Sequence, residues 1–148
     1  MFNLQPLHNP NEMYGPIFDP DQNEYYLSVC DHVPVDKSPC VDQNGAHVNS
    51  MMCQVTYEGI GISVGDEIAF VPLAPPHERE GFNLTFLGGR PCSGGVVRRG
   101  TISFVCDPEA GRGHPTVPPG HHDVEASRCV YEVCVSSRLC FFLSDLFV

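Results

Sequence analysis

Eight cysteines constrain this chain more than any other feature of its 148 residues. They are not arranged in the CxxC pairs that zinc ribbons and redox enzymes use, and they lie at positions 30, 40, 53, 92, 106, 129, 134 and 140. An even set with such spacings is typical of a disulfide framework, which forms in an oxidising compartment. We therefore expect a secreted, lumenal or ectodomain protein.

The segment from Cys92 to Cys106 contains a glycine turn, two adjacent arginines and an alternating stretch that predicts a strand. An arginine held rigidly at the start of this strand could bind hydroxyls or a phosphate through its planar guanidinium, at little entropic cost. The alternative is a solvated arginine beside a structural disulfide.

The charge of the chain excludes some partners. Its formal net charge is −10 and Lys37 is its single lysine, which argues against nucleic acid and anionic membranes. Arg90, Arg98 and Arg99 nevertheless cluster around Cys92, as a small anionic or polyhydroxylated ligand would require. Ordinary surface pairing with the surplus carboxylates is the alternative. No apolar run reaches the length of a membrane span, so we expect no direct membrane insertion.

Short strand-like segments alternate with turns throughout the chain. Fourteen prolines and fourteen glycines punctuate them, and the predicted strands are 24–29, 54–57, 81–87, 101–105 and 128–135. We find no convincing helical stripe, so the pattern predicts one all-β domain over residues 1–148, a flattened barrel or sandwich closed by disulfides.

The order of several segments resembles a mannose 6-phosphate receptor homology domain, and most closely one repeat of the cation-independent type. The segments are 2–7, 26–30, 45–54, 84–92, 98–106 and 129–140. The resemblance implies a flattened β-barrel of two crossed antiparallel sheets, with a framework over 2–140 and a short C-terminal extension over 141–148.

In sugar-binding members of this family a Gln, an Arg, a Glu and a Tyr contact the mannose ring. The resemblance places the first at Gln54, directly after Cys53, and the second at Arg98, before Cys106. It places the tyrosine at Tyr131. An amide and a guanidinium can together fix an axial hydroxyl, while a carboxylate and a phenol bind its neighbours.

The family acid falls three residues before its cysteine, where this chain has Ala126. Glu125 lies one residue earlier, and a slip of one residue turns a strand side chain to the other face unless a bulge restores it. We assign Glu125, with Asp123 as the substitute; otherwise Glu125 is a solvated loop charge.

A serine just after the cysteine helps to hold phosphate in cation-independent repeats, and here it is Ser93. Its alternative role is to form the turn before two glycines. The cation-dependent relative has an acid and a histidine before that cysteine, whereas this chain has Arg90 and Pro91, so we expect no metal and no other cofactor. The run His121–Asp123 lacks a matched third ligand.

The disulfides that the resemblance implies are Cys92–Cys129, Cys106–Cys140 and Cys30–Cys53. Cys40 and Cys134 would then be left free, or paired with each other if the geometry allows.

The function implied is a lectin module for mannose 6-phosphate or mannose-terminated N-glycans, in lysosomal-enzyme sorting or glycoprotein quality control. It would be part of a larger receptor or lumenal protein whose targeting signals lie outside this segment. The alternative is a non-lectin structural or protein-binding repeat of the same fold. An enzyme is disfavoured because the cysteines are assigned to disulfides.

Overall fold

A computed structural model gives the fold of the chain and describes residues 7–11, 13–32, 35–42, 44–77, 80–107, 109–111, 113–121 and 123–137. The all-β prediction is confirmed. Within these residues a single-turn 3-10 helix spans Val35–Lys37, and the strands are β1 (Tyr14–Phe18), β2 (Glu24–Leu27), β3 (Met52–Val55), β4 (Gly61–Pro72), β5 (Gly81–Gly88), β6 (Arg99–Cys106), β7 (Glu125–Ser127) and β8 (Val130–Ser137).

Strict alternation of apolar and polar residues builds the centre of the sheet. On β5 the side chains of Phe82, Leu84 and Phe86 are buried, and Phe82 and Leu84 lie opposite Phe104 and Ile102 of β6. The rings of Phe82 and Phe104 stack with centroids 4.7 Å apart. Burial of each such side chain stabilises the fold by about 1.5–3 kcal/mol.

The strands form one continuous sheet in the order β1-β2-β3-β4-β5-β6-β8-β7. Neighbours are antiparallel except β6 and β8, which run parallel. The sheet curls on itself, because Tyr25 of β2 and Tyr131 of β8, which are far apart in strand order, have ring centroids only 5.8 Å apart. This closure brings both ends of the sheet to one polar site.

The predicted Cys30–Cys53 disulfide is wrong: Cys53 is bonded to Cys40, with their Cα atoms 5.7 Å apart. The loop that carries Cys40 lies against the start of β4, where the Val41 amide donates to the Gly61 carbonyl oxygen at 3.3 Å. A Cβ at Gly61 would collide with the Pro39 carbonyl, so a glycine is required for this approach. Cys40 is therefore neither free nor paired with Cys134.

The other implied disulfides have different outcomes. Cys92 is bonded to Cys129, with Cα atoms 6.7 Å apart, as the resemblance implies. Cys106, at the end of β6, is also disulfide-bonded. Its expected partner Cys140, like the whole extension 141–148, lies outside the described residues. Among the described residues Cys134 is a buried free thiol.

Candidate functional site

Hydrogen bonds bring together three of the residues assigned to the mannose site. Arg98, just before β6, donates through Nε to the Tyr131 hydroxyl of β8 at 3.2 Å. That hydroxyl donates to Oε1 of Gln54 on β3, also at 3.2 Å. The three side chains come from strands that are distant in the sequence, so only the curled sheet makes them neighbours.

The guanidinium of Arg98 is held at its other end by the backbone. Its Nη1 donates to the carbonyl oxygens of Arg90 and Pro91 at 3.0 and 3.1 Å. The Cys92–Cys129 disulfide follows directly and ties this loop to the start of β8. Within the described part of the chain Nη2 makes no hydrogen bond.

Glu125 lies beside the same site. β7 and β8 pair with an irregularity between Glu125 and Ser127, which places Glu125 opposite Tyr131. The bulge that its sequence position requires is therefore present. Its Oε1 accepts from the Cys129 amide at 2.6 Å, and Oδ1 of Asp123 accepts from the Glu125 amide at 2.9 Å.

Burial governs the ionisation of Tyr131. Desolvation raises the pKa of its phenol above the ordinary value, the hydrogen bond from Arg98 opposes this, and the charge of Glu125 raises the pKa further. The phenol is therefore neutral and keeps its proton as a hydrogen-bond donor. Only 1% of the residue is exposed, and Gln54 is 6% exposed, so both form the inner wall of the site.

Two residues of the site were missed in the sequence. Nε2 of Gln54 donates to the Tyr25 hydroxyl at 3.1 Å, and Tyr25 donates to Oδ2 of Asp19 at 2.8 Å. Tyr25 lies opposite Gln54 in the pairing of β2 with β3. Tyr25 was assigned only to an alternating strand, and no sequence signal gives its register with Gln54.

Ser93 lies on the turn after Cys92, where the Gly95 amide donates to the Cys92 carbonyl oxygen at 3.1 Å. Nη2 of Arg128 donates to the Ser93 carbonyl oxygen at 2.6 Å and also contacts the Ser93 hydroxyl. Arg128 was another missed residue. Its place directly before Cys129, the partner of Cys92, is the signal that could have indicated it.

An open cleft adjoins the site. It has a volume of about 310 Å³, and its lining residues include Arg90, whose carbonyl oxygen accepts from Arg98, together with Asp42, Ser63 and Asp66. Hydrogen bonds from the backbone amides of Ala46 and Asn44 lower the pKa of Asp42. Among the described residues no group of three or more His, Cys, Asp or Glu side chains is placed to hold a metal ion.

The fold of the chain is similar to that of solved structures. Domain 11 of chicken IGF2R has a TM-score of 0.64 at 19% identity, over 96% of this chain and 84% of that one. Domain 11 of the echidna M6P/IGF2R receptor has a TM-score of 0.56 at 21% identity, over 95% and 86%. The chain has the fold of an M6P/IGF2R receptor domain. No protein-family model and no curated protein matches the chain.

Both solved structures are receptor domains, and a disulfide-bonded fold of this kind belongs on the extracellular or lumenal side of a membrane. The helical segments of the described residues include none long and apolar enough to cross a membrane.

Proposed function

We propose that this domain is a lectin module that binds mannose 6-phosphate or mannose-terminated N-glycans. The observation that carries the proposal is the hydrogen-bonded group of Arg98, Tyr131 and Gln54, drawn from the residue before β6 and from β8 and β3. A spacer repeat needs disulfides and a core. It has no need of a buried amide, a phenol and a guanidinium bonded in series, since burying polar groups is costly unless each is satisfied.

The donors and acceptors suit a sugar with an axial hydroxyl. Nη2 of Arg98 and the second N–H of Gln54 supply donors, and the carboxylate of Glu125 supplies an acceptor. Mannose and glucose differ at the 2-hydroxyl, which is axial only in mannose. A site built to bond that hydroxyl discriminates against the epimer because its own polar groups are then left unpaired.

Ser93 and Arg128 would form the phosphate end of the site. Guanidinium–phosphate hydrogen bonds are charge-assisted, so they are among the stronger polar contacts in proteins. In this role the domain would act in lysosomal-enzyme sorting or glycoprotein quality control, as one module of a larger receptor in the secretory or endolysosomal system.

A glycan array tests the proposal. We expect binding to phosphorylated or unphosphorylated mannose-terminated glycans at neutral or mildly acidic pH, and no competition by glucose. Binding in EDTA should equal binding in its absence, because no acid or histidine directly precedes Cys92 to recruit a cation. Failure to bind any mannosylated ligand would overturn the lectin function.

A protein-binding repeat is the second candidate, and one surface favours it. Phe18 and Tyr57 are 60% and 72% exposed and line a cleft of about 430 Å³ together with Asp19 and Glu24. Exposed aromatic side chains with an acidic rim suit a polypeptide that presents apolar and basic side chains. Panning a displayed peptide library against the wild type and a Phe18→Ser/Tyr57→Ser variant tests this candidate. Peptides that are enriched equally on the double variant would exclude the cleft as the peptide-binding site.

A further inference from the structure

A single series of hydrogen bonds crosses the core from one charged group to another. Oδ2 of Asp19 accepts from the Tyr25 hydroxyl at 2.8 Å, and the Tyr25 oxygen accepts from Nε2 of Gln54 at 3.1 Å. Oε1 of Gln54 accepts from the Tyr131 hydroxyl, and the Tyr131 oxygen accepts from Arg98, both at 3.2 Å. Each interior member thus donates once and accepts once within the series.

The two ends of the series determine its direction. A carboxylate only accepts hydrogen bonds and a guanidinium only donates them. The single proton of Tyr25 is committed to Asp19, so its oxygen can only accept from Gln54. From the other end, Arg98 donates to Tyr131, so the single proton of Tyr131 must go to an acceptor on Gln54.

Both ends therefore require the same orientation of the Gln54 amide. If the amide were flipped, Oε1 would face the Tyr25 oxygen with no proton between them. Nε2 would then face the Tyr131 oxygen, which already accepts from Arg98, and the Tyr131 proton would lose its acceptor. Buried polar groups without a hydrogen-bond partner are strongly unfavourable, so the flipped amide is excluded.

Burial and hydrogen bonds keep the first two members in place. Tyr25 is fully buried and therefore cannot itself touch a ligand. Desolvation and the hydrogen bond to Asp19 raise the pKa of Tyr25, so the phenol keeps its proton. The carboxylate of Asp19 accepts from the backbone amide and from Nδ2 of Asn23, both at 2.8 Å, which fixes it in the β1–β2 turn.

We propose that Asp19 and Tyr25 are positioning residues that set the amide orientation of Gln54, and with it the donor and acceptor that Gln54 presents to a sugar. The part that concerns the sugar rests on the proposed lectin function. The amide orientation itself does not, so the two can be tested separately.

Asp19→Asn is the most informative variant because it keeps the shape and reverses one hydrogen bond. The new amide can donate to the Tyr25 oxygen, which frees the Tyr25 proton to turn toward Gln54, so that only the Arg98 end still requires the present amide orientation. Tyr25→Phe removes the hydroxyl and leaves the amide with a partner on one side only. Tyr26→Phe is the matched control, since its hydroxyl bonds Glu24 at 2.6 Å, outside the series.

NMR of the Gln54 side-chain amide gives a readout that a merely structural role would not change. In the wild type the Nε2 protons should show stronger nuclear Overhauser effects to the ring of Tyr25 than to that of Tyr131. Asp19→Asn should weaken this preference, and Tyr25→Phe should speed exchange of the Nε2 protons about tenfold. Tyr26→Phe should leave both measurements unchanged.

Titration with methyl α-mannoside completes the experiment. Affinity for the mannoside should fall about five- to tenfold in Asp19→Asn and in Tyr25→Phe. A change of this size corresponds to the loss of roughly one satisfied polar contact. An undiminished preference of the Gln54 amide in folded Asp19→Asn, or unchanged exchange in Tyr25→Phe, would overturn the inference. A wild type that binds no mannoside would overturn the lectin function, while the amide measurements would still decide the orientation.

Discussion

Nε of Arg98 lies 3.2 Å from the hydroxyl of Tyr131, although 33 residues separate them in the chain. The contact depends on the parallel pairing of β6 with β8, in which Gly100 lies opposite Tyr131. Parallel neighbours need a long crossover connection, so this contact joins segments that are distant along the chain but adjacent in the sheet. The same guanidinium reaches the carbonyl oxygens of the loop before Cys92, so one side chain links three parts of the site.

Arg98→Ala should abolish measurable mannoside binding. Removing a guanidinium that bonds a ligand hydroxyl leaves that hydroxyl unpaired and costs about 2–4 kcal/mol in binding. The free energy of unfolding should fall by only about 1 kcal/mol, because Tyr131 keeps its bond to Gln54 and the loop carbonyls can bind water. Calorimetric titration and urea unfolding measure the two effects.

Arg99→Ala is the matched control. Arg99 is exposed on the next residue of the strand, whose side chain points to the other face. We expect binding to change by less than about twofold, a difference of roughly 0.4 kcal/mol. Equal losses in the two variants would point to a general charge effect and contradict a specific role for Arg98.

The fold was predictable where one face of a strand is buried. The alternation of Phe82, Leu84 and Phe86 predicts β5, and β6 and β8 follow the same pattern. β4 was not predicted, because buried residues occur only in the first half of this strand. Its later residues Ile68 and Phe70 are partly exposed, so apolar positions do not coincide with buried ones.

The site was predictable only as far as the resemblance reached. The resemblance supplied Gln54, Arg98 and Tyr131. Asp19 and Tyr25 join the site because of the register between β2 and β3, which cannot be read from composition or spacing. The disulfide error has the same origin. The resemblance implied Cys30 as the partner of Cys53, whereas in the structure the loop that carries Cys40 packs against Gly61 and Cys40 is the partner; spacing in the sequence does not contain this approach.

Ser93→Ala and Arg128→Ala should separate phosphate recognition from mannose recognition. The two residues lie on separate turns, directly after Cys92 and directly before Cys129, and they contact each other beside the disulfide. We expect mannose 6-phosphate to bind about five- to tenfold more weakly in Arg128→Ala, and less so in Ser93→Ala, because a charge-assisted bond is lost in the first. Affinity for unphosphorylated methyl mannoside should stay constant, and parallel losses for both sugars would contradict this division.

Replacing both Cys92 and Cys129 by serine should destabilise the fold and the site together. The bond spans 37 residues, so its removal should lower the free energy of unfolding by about 3–4 kcal/mol. Mannoside affinity should also fall, because the carbonyls that hold Arg98 lie directly before Cys92, which this bond anchors.

Peptide mapping of the non-reduced protein checks the connectivity first. It should recover Cys92 joined to Cys129 and Cys40 joined to Cys53. Recovery of Cys30 joined to Cys53 would contradict the structure.

Alkaline pH should destabilise the domain through its buried tyrosines. Burial raises the pKa of Tyr25 and of Tyr131 in the folded chain, whereas both phenols ionise near pH 10 when it unfolds. Above that pH the unfolded chain binds fewer protons, so the free energy of unfolding falls as pH rises, by about 1.4 kcal/mol per pH unit for each tyrosine. Below that pH the contribution is fully present.

Urea unfolding between pH 8 and 11.5 measures this slope. Burial also raises the pKa of the Cys30 and Cys134 thiols. Their ionisation lowers the free energy of unfolding as pH rises in the same way, beginning at a lower pH. Substitution of a single tyrosine therefore separates the tyrosine contribution from that of the thiols. Tyr131→Phe should make the fall of the free energy of unfolding above about pH 10 less steep, by the contribution of one tyrosine. Tyr57→Phe removes a phenol that is 72% exposed and serves as the control, with the slope expected to stay that of the wild type. Identical slopes in wild type and Tyr131→Phe would mean that Tyr131 ionises near pH 10 in the folded domain too, and would contradict the raised pKa of its buried phenol.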